Sequence, residues 1–236
     1  MLYSMSKSVT GTAVGIAVDE GLLSLEERLA DLFPELVTPT QAKVIKNMTV
    51  RHLLTMSTGC RFNEIGSMLD ENWAKMFLES LPKFEPGTAF EYNSLNTYML
   101  AAILARRTGQ TLVDYLRSRL FEPLGIERFQ WETCPQGVEK GGWGLSLTLE
   151  DAAKLGQLYL NRGVWEGKRI FSKAWADAAT KKQIETPHGE MTHGYGYQIW
   201  MSDEEGGYQF NGAFGQYVVA VSYTHLRAHE TCADLV

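Results

Sequence analysis

The chain of 236 residues has few cysteines and no long apolar segment. Its three cysteines, Cys60, Cys134 and Cys232, form neither a CxxC pair nor the ligand spacing of a zinc site. We expect free thiols, with a Cys60–Cys134 disulfide as the alternative. No apolar run reaches the roughly 18 residues that a membrane-spanning helix needs. The sequence therefore predicts neither a zinc framework nor a membrane segment in these residues.

Positive charge is also scarce. The chain has 22 Lys and Arg against 28 Asp and Glu, which gives a formal net charge of −6 at pH 7. No basic block stands out, so the electrostatic footprint of a nucleic-acid-binding protein is absent. The segment GGWGL at residues 141–145 lacks the lysine and the glycine spacing of a phosphate-binding loop. We expect a small-molecule or peptide-like substrate, no nucleic acid, no metal and no cofactor; the oligomeric state is left open.

The apolar content that is present predicts an ordered domain. Hydrophobic residues make up 44% of the chain and aromatic residues 11%, which is enough to form a substantial core. Helical patterns occupy the first two thirds. Strand patterns cluster late, at residues 194–201, 208–210 and 216–221, between the turn-rich segments DEEGG and NGAFG. Helices followed by strands predict an α+β fold with a helical region packed on an antiparallel sheet.

A buried helix is predicted near the start of the chain, from Ser4 to about Asp19, because its residues are apolar on most faces. Ser4 and Lys7 share one face of that helix, about one turn apart. A desolvated lysine beside a serine can take the hydroxyl proton and activate a weak nucleophile. A second Ser-x-x-Lys, at residues 80–83, contains a proline that disfavours such an alignment. The alternative for the first pair is a helix cap followed by a solvated lysine.

The residues around this pair resemble a known family. YSMSKS (residues 3–8) is similar to the active-site helix of class C β-lactamases and of related penicillin-binding proteins and esterases, and Ser-x-x-Lys is a nucleophile motif of penicillin-binding proteins. The resemblance covers about residues 2–221 and implies a β-lactamase/transpeptidase-like fold. Further segments resemble the family in the same order along the chain: LLTMSTG, FEPGTAFEYNS, RLFEPLGI, GGWGLSLTLEDAAKLGQLYLNRG and GYGYQIW.

The resemblance implies a serine hydrolase that forms a covalent acyl-enzyme with an ester, amide or β-lactam-like carbonyl. Ser4 would attack the carbonyl, Lys7 would accept or relay its proton, and Tyr92 would match the second-motif tyrosine that acts as a base or proton shuttle. The backbone N–H groups of Ser4 and Gln216 would bind the developing oxyanion. Gly215 would allow the substrate to approach the backbone closely.

Two positions depart from the family pattern. Ser94 stands where the second motif often has asparagine, so Asn93, Ser94 or Asn96 could fill that role. Ala213 stands where the third motif often has a lysine or histidine that binds a substrate carboxylate. This loss favours an esterase, amidase or peptidase over a β-lactamase. The alternative is a non-catalytic or slowly acylating cell-wall-binding or sensor module on the same fold.

Both ends of the chain differ from a complete domain of this family, which has strands before the nucleophile helix and further strands after residues 216–221. The stretch at 221–231 resembles the translation of a sequencing-library adapter. We therefore expect residues 1–221 to form a partial domain and residues 222–236 to be a non-native tail without strand or helix pattern. We also expect the fragment alone to be inactive. The family resemblance suggests a periplasmic or secreted protein.

Overall fold

The structure is a computed structural model that describes residues 1–61, 70–187, 193–202 and 206–221, together with the backbone of residues 225–230. A short 3-10 turn (Tyr3–Met5) opens the chain, and a π-helical turn (Arg117–Phe121) extends one of the helices. The α-helices are α1 (Ser6–Asp19), α2 (Leu29–Leu32), α3 (Pro39–Val44), α4 (Val50–Leu54), α5 (Trp73–Glu79), α6 (Ser94–Thr108), α7 (Leu112–Leu116), α8 (Leu149–Leu160) and α9 (Lys173–Ala179).

The strands form two small ladders and one larger sheet. The sheet is antiparallel, with the strands in the order β5-β6-β7-β8. Helices precede this sheet along the chain, so the predicted α+β arrangement is confirmed. The strands are β1 (Gln130–Trp131), β2 (Leu145–Ser146), β3 (Val164–Trp165), β4 (Lys168–Arg169), β5 (Trp200–Met201), β6 (Gly207–Gly212), β7 (Gln216–Val221) and β8 (His225–Glu230).

Helix α1 lies in the centre of the fold, and the predicted helix at residues 4–19 is confirmed with a 3-10 first turn. Nearly all of its side chains are buried, from Ser6 to Ala17. Gly15 allows a close approach on one side, because a Cβ there would lie 2.2 Å from the indole of Trp175. On another side α1 packs against α6. A helix buried on all faces explains why its sequence shows no polar stripe.

Helix α6 begins at Ser94, which faces α1. The side chain of Asn93 accepts a hydrogen bond from the backbone N–H of Leu95 and so caps the helix N-terminus. The helix ends at Gly109, whose φ of 68° is in the left-handed region that favours glycine. Because Asn93 fixes where the helix starts, Ser94 becomes its first residue and lies beside α1.

The first predicted late strand is shorter than the sequence pattern indicates. Residues 194–201 were predicted to be extended, but the structure has a strand only at Trp200–Met201, with isolated bridges at Tyr195. Gln198 interrupts the segment, since its φ is 61° and its backbone N–H donates to the carbonyl of Leu54. The buried amide of Gln198 also donates to the carbonyls of Leu53 and Leu54. These long-range contacts outweigh the local strand propensity.

The end of the chain also differs from the expectation. Residues 222–236 show no strand pattern, yet β8 at His225–Glu230 pairs antiparallel with β7 along its length. The expectation that no strand forms there is therefore wrong. A strand edge offers unpaired backbone N–H and C=O groups, and these can pair with a neighbour whatever its side chains. For the same reason the pairing does not test the prediction that the tail is non-native.

Two expectations from composition can be compared with the structure. Cys60 and Cys134 are free and buried, which confirms the thiols at those positions, while Cys232 lies outside the described residues. In the part of the chain that the structure describes, no helix has the length and apolar character needed to cross a membrane.

Candidate active site

The serine and lysine of the first motif lie together at the start of α1. Lys7 Nζ is 3.1 Å from Ser4 Oγ. The same nitrogen donates to the carbonyl oxygen of Gly142 at 2.7 Å and contacts Ser94 Oγ at 3.0 Å. The side chain of Lys7 is only 1% exposed. The alternative of a solvated lysine in a helical first turn is therefore wrong, and the amine is fixed against the serine hydroxyl.

The second Ser-x-x-Lys does not form such a pair. Lys83 Nζ instead makes an ion pair with Glu91, and Ser80 ends helix α5 as its C-cap residue. Pro82 lies between them, in a stretch that is not helical. The prediction that proline prevents this alignment is confirmed.

Glycines at residues 141–142 deliver a backbone carbonyl that sequence reasoning missed. A Cβ on Gly142 would lie 2.6 Å from the carbonyl oxygen of Ser94, so only glycine lets this segment pass so close to α6. Thr10 Oγ1 donates to the carbonyl of Gly141 and ties the segment to α1. The signal was present in the pair of adjacent glycines, but their partner Lys7 is distant in sequence and could not be identified from it.

The ring of Tyr92 lies beside the amine of Lys7. Lys7 Nζ is 4.8 Å from the centroid of the Tyr92 ring. The ring stacks on Trp200, with centroids 5.5 Å apart and planes 24° from parallel. Ser4 and Tyr92 both line one cleft. The structure thus brings together the three side chains that the sequence identified as catalytic candidates.

An aromatic cluster supports Tyr92 from behind. Tyr195 is buried against Phe90 and Trp200 and meets the ring of Tyr92 at a right angle, with centroids 6.5 Å apart. Burial raises the pKa of the Tyr195 hydroxyl well above its usual value, and the negative charge that Tyr92 would carry when ionised acts in the same direction. Tyr195 therefore stays protonated and packs as an apolar residue, which leaves Tyr92 as the phenol beside the lysine.

The structure separates the three candidates for the second-motif amide. Ser94 Oγ contacts Lys7, as described above. The Asn93 amide donates to the carbonyl of Cys60 at 2.8 Å while its oxygen caps α6. Asn96 is fully buried, and its side-chain oxygen accepts from Thr58 Oγ1 at 2.7 Å. The amides of Asn93 and Asn96 are thus bonded within the core, and Ser94 is the candidate that faces the lysine.

The β6–β7 hairpin forms the opposite side of the cleft. Gly212 brings it close to the nucleophile turn, because a Cβ at this position would lie 2.2 Å from the carbonyl oxygen of Leu2. Gly212 pairs with Gln216 where β7 begins. Gly215 has a φ of 87°, and the Gln216 side chain is buried behind the turn, with its amide 3.4 Å from the carbonyl of Phe214. Gly215 and Gln216, which the sequence predicts to lie against the substrate, are therefore adjacent to residues that line the cleft.

Two aromatic residues at the cleft mouth have an uncommon backbone conformation. Tyr3 has a φ of 48° and Phe214 a φ of 65°, in the left-handed region that bulky residues rarely occupy. Their rings meet edge to face with centroids 5.0 Å apart. The Phe214 side chain is nevertheless 66% exposed. Strain of this kind is held by the surrounding structure and is often found at ligand-binding sites.

The cleft itself has a volume of about 400 Å³. Its lining contains the nucleophile candidate, several aromatic rings and one amide, and none of these lining residues carries a charge. The lining residues therefore provide no cation in place of the one that the resemblance would put at Ala213. The lining consists of Ser4, Tyr92, Trp200, Asn211, Gly212, Ala213, Phe214 and Tyr217.

Comparison with known proteins places this geometry in context. The family model described as Beta-lactamase matches residues 1–225. The 6-aminohexanoate-dimer hydrolase of Paenarthrobacter ureafaciens is 30% identical over 201 residues, which cover 75% of this chain and 50% of that protein. Penicillin-binding protein 4 of Amycolatopsis lactamdurans is 27% identical over 251 residues, which cover 90% of this chain and 65% of that protein. The chain therefore spans half to two thirds of the length of these relatives.

A solved structure has the same fold. The penicillin-binding protein homologue of Caulobacter crescentus superposes with a TM-score of 0.75 at 19% identity. The superposition covers 94% of this chain and 74% of the homologue. At this level of identity the likeness shows a shared fold.

Proposed function

The chain belongs to the beta-lactamase family, as its motifs predicted, and on that premise we propose that it carries the catalytic centre of a serine hydrolase that works through a covalent acyl-enzyme. The family's named relatives include hydrolases and penicillin-binding proteins, which supports a hydrolase in general. The finer proposal rests on one observation: a buried lysine amine lies 3.1 Å from Ser4 Oγ and also contacts Ser94 Oγ and the carbonyl of Gly142.

The hydrogen bonds of Lys7 suit it to act as a base. A neutral amine has two N–H donors and one lone pair. Gly142 O and Ser94 Oγ are positioned to accept the two donors. We propose that the lone pair accepts the proton of Ser4 Oγ, which lies 3.1 Å away, as that oxygen attacks a carbonyl. These three contacts of the Lys7 amine, and not the presence of a lysine alone, support its role as the base.

The proposed reaction has two stages. Ser4 Oγ bonds to the substrate carbonyl carbon while its proton passes to Lys7, directly or through Tyr92. The leaving group takes up a proton as its bond breaks, which leaves an ester on Ser4. Water then attacks the carbonyl carbon of that ester, and the bond from this carbon to Ser4 Oγ breaks to release the acid. The proton of the water passes through the same groups to Ser4 Oγ and restores the hydroxyl. Backbone N–H groups of Ser4 and Gln216 would hold the oxyanion in both stages.

The proposal also covers the carbonyl that is attacked and the form of the protein that is active. A relative named 6-aminohexanoate-dimer hydrolase supports an amide carbonyl as a target of this centre, and one named lovastatin esterase supports an ester carbonyl. Because the chain spans only part of its relatives, we propose that residues 1–236 alone are inactive and that activity belongs to the complete protein, made from the uninterrupted reading frame. Assaying both forms side by side tests this point, and equal activity would contradict it.

The Ser4→Ala variant of the complete protein tests the mechanism. We expect the hydrolysis of an activated ester to fall at least about a thousandfold, because the covalent step is lost. Ser80→Ala is the matched control, since it makes the same change in the second Ser-x-x-Lys. Unchanged hydrolysis in Ser4→Ala would overturn the acyl-enzyme proposal.

A fluorophosphonate probe separates the enzyme from the sensor alternative. Labelling of Ser4 together with turnover of an ester is the result expected for the enzyme. Stable labelling without turnover would favour the slowly acylating sensor, whose motivation is the altered second and third motifs. The absence of any labelling would contradict both.

A further inference from the structure

We propose that the cleft beside Ser4 selects uncharged substrates and that Phe214 holds an aromatic or apolar group of the substrate next to the reacting carbonyl. The inference rests on the proposed acyl-enzyme function and names its substrate class. Its basis is the charge of the cleft lining, the placement of Phe214 and the rings that surround it.

The charge of the lining is the first argument. Among the described residues that line the cleft, none is a lysine, arginine, aspartate or glutamate. Lys7, whose amine lies beside Ser4, is 1% exposed and is held by Ser4, Ser94 and the carbonyl of Gly142. A substrate carboxylate entering this cleft would lose hydration without gaining a charged partner, which is unfavourable. The cleft therefore disfavours anionic substrates.

The placement of Phe214 is the second argument. Its ring is 66% exposed and lies at the cleft mouth, where it contacts the edge of Tyr3. An exposed aromatic residue at a φ of 65° is expensive for the fold and adds little to the core. Its neighbour Ala213, which also lines the cleft, has a small side chain. This arrangement suits a ring that packs on a bound ligand.

The surrounding rings are the third argument. Tyr92 and Trp200 are stacked on one side of the cleft, and Tyr217 lines it from β7. With Phe214 these residues give an apolar slot with hydroxyl groups at its edges. Aromatic walls bind flat or apolar groups through area burial and ring contacts. An aryl or alkyl ester or amide fits this lining better than a substrate with a carboxylate beside the scissile bond.

The experiment compares matched p-nitrophenyl esters on the complete protein. The pentanoate and the hydrogen glutarate have acyl chains of equal length that end in a methyl group or a carboxylate. We expect kcat/KM to be at least about tenfold higher for the pentanoate, since an unpaired carboxylate is rejected. The 3-phenylpropanoate should exceed the acetate by a similar factor. A glutarate that reacts as fast as the pentanoate would overturn the inference.

Variants at Ala213 and Phe214, each with a control, assign the substrate preference to these two residues. Ala213→Lys should raise kcat/KM for the glutarate about tenfold and not for the pentanoate, with Ala213→Met as the control for side-chain length. Phe214→Asn accepts the left-handed conformation. It should lower the ratio of phenylpropanoate to acetate kcat/KM about tenfold, and Phe214→Trp should retain that ratio. An unchanged ratio in Phe214→Asn would remove Phe214 from the proposal.

Different results would disprove the acyl-enzyme function and the preference for uncharged substrates. If the complete protein cleaves none of these esters and Ser4 is not labelled by a fluorophosphonate, the acyl-enzyme function fails. If Ser4 is labelled and esters are cleaved without regard to charge, the function stands and the substrate inference alone is overturned.

Discussion

The two sides of the cleft are built differently. On one side, here called the helical wall, the lining residue Ser4 is backed by Lys7, Ser94 and Gly142. The Lys7 amine is buried and makes three polar contacts with these residues. The strand wall is the β6–β7 turn at residues 212–216, where Phe214 is exposed and Gly215 and Phe214 both have a positive φ.

The difference between the walls matches where the chain departs from its family. The sequence predicts that Ala213, in the strand wall, stands where the third motif often has a cation, and the neighbouring Phe214 has a positive φ. In the helical wall the Ser-x-x-Lys pair is kept, and the one replacement, Ser94, still contacts the lysine. Buried residues with several partners are costly to replace, whereas an exposed turn can change with little effect on the fold. We infer that the helical wall carries the chemistry and the strand wall the selectivity.

The largest expected effect is on the helical wall, in Lys7→Met. We expect kcat to fall at least about a thousandfold, because the base for Ser4 is lost. The free energy of unfolding should fall by no more than about 1 kcal/mol, since an apolar side chain of similar length replaces a buried amine. Ester kinetics and thermal unfolding measure the two effects, and Lys83→Met is the control. A variant that keeps a tenth of the activity would contradict the assigned role.

Gly142→Ala tests whether the helical wall depends on close backbone packing. The new Cβ would lie 2.6 Å from the carbonyl oxygen of Ser94, so we expect a loss of about 2 kcal/mol in stability. The displaced carbonyl should also lower kcat about a hundredfold. Gly137→Ala is the control, because its Cβ meets nothing within 4 Å and only its φ of 80° is strained. If both variants behave alike in ester hydrolysis, the carbonyl of Gly142 does not position the lysine.

Substitutions at the neighbouring residues Ser94 and Asn93 should affect kcat and stability differently. Ser94→Ala removes a contact of Lys7, and we expect kcat to fall about tenfold with little change in stability. Asn93→Ala removes the cap of α6, and we expect a loss of about 1 kcal/mol of stability. The effect of Asn93→Ala on kcat should be smaller than that of Ser94→Ala. Equal effects on kcat and stability in both variants would remove the distinction between the two residues.

The smallest expected effect is on the strand wall. Phe214→Asn should raise the free energy of unfolding by about 0.5 to 1 kcal/mol, because asparagine tolerates the left-handed conformation that strains phenylalanine. Chemical denaturation of the two proteins measures this difference. A clear loss of stability would mean that the Phe214 ring supports the fold and would weaken the contrast between the two walls.

Much of the fold and part of the site were predictable from the sequence. The helix predicted from Ser4 and the strand predicted at residues 216–221 follow from local patterns. Both are present, the helix as a 3-10 turn at Tyr3–Met5 followed by α1. The strand predicted at residues 194–201 is present only at Trp200–Met201, because the long-range contacts of Gln198 interrupt the segment. Strand β8 was missed because its pairing uses backbone groups, which leave no trace in side-chain patterning.

The sequence by itself determined the pairing of Ser4 with Lys7, because residues three apart on a helix meet whatever the rest of the chain does. It also predicts that the position matched to the third motif, Ala213, carries no charge. Only the tertiary structure decided that Ser94 faces the lysine and that Asn93 and Asn96 do not. It alone brought the carbonyl of Gly142 to Lys7 and set the backbone of Phe214 at the cleft mouth. These contacts join residues far apart along the chain, and their geometry depends on how helices and sheet pack together.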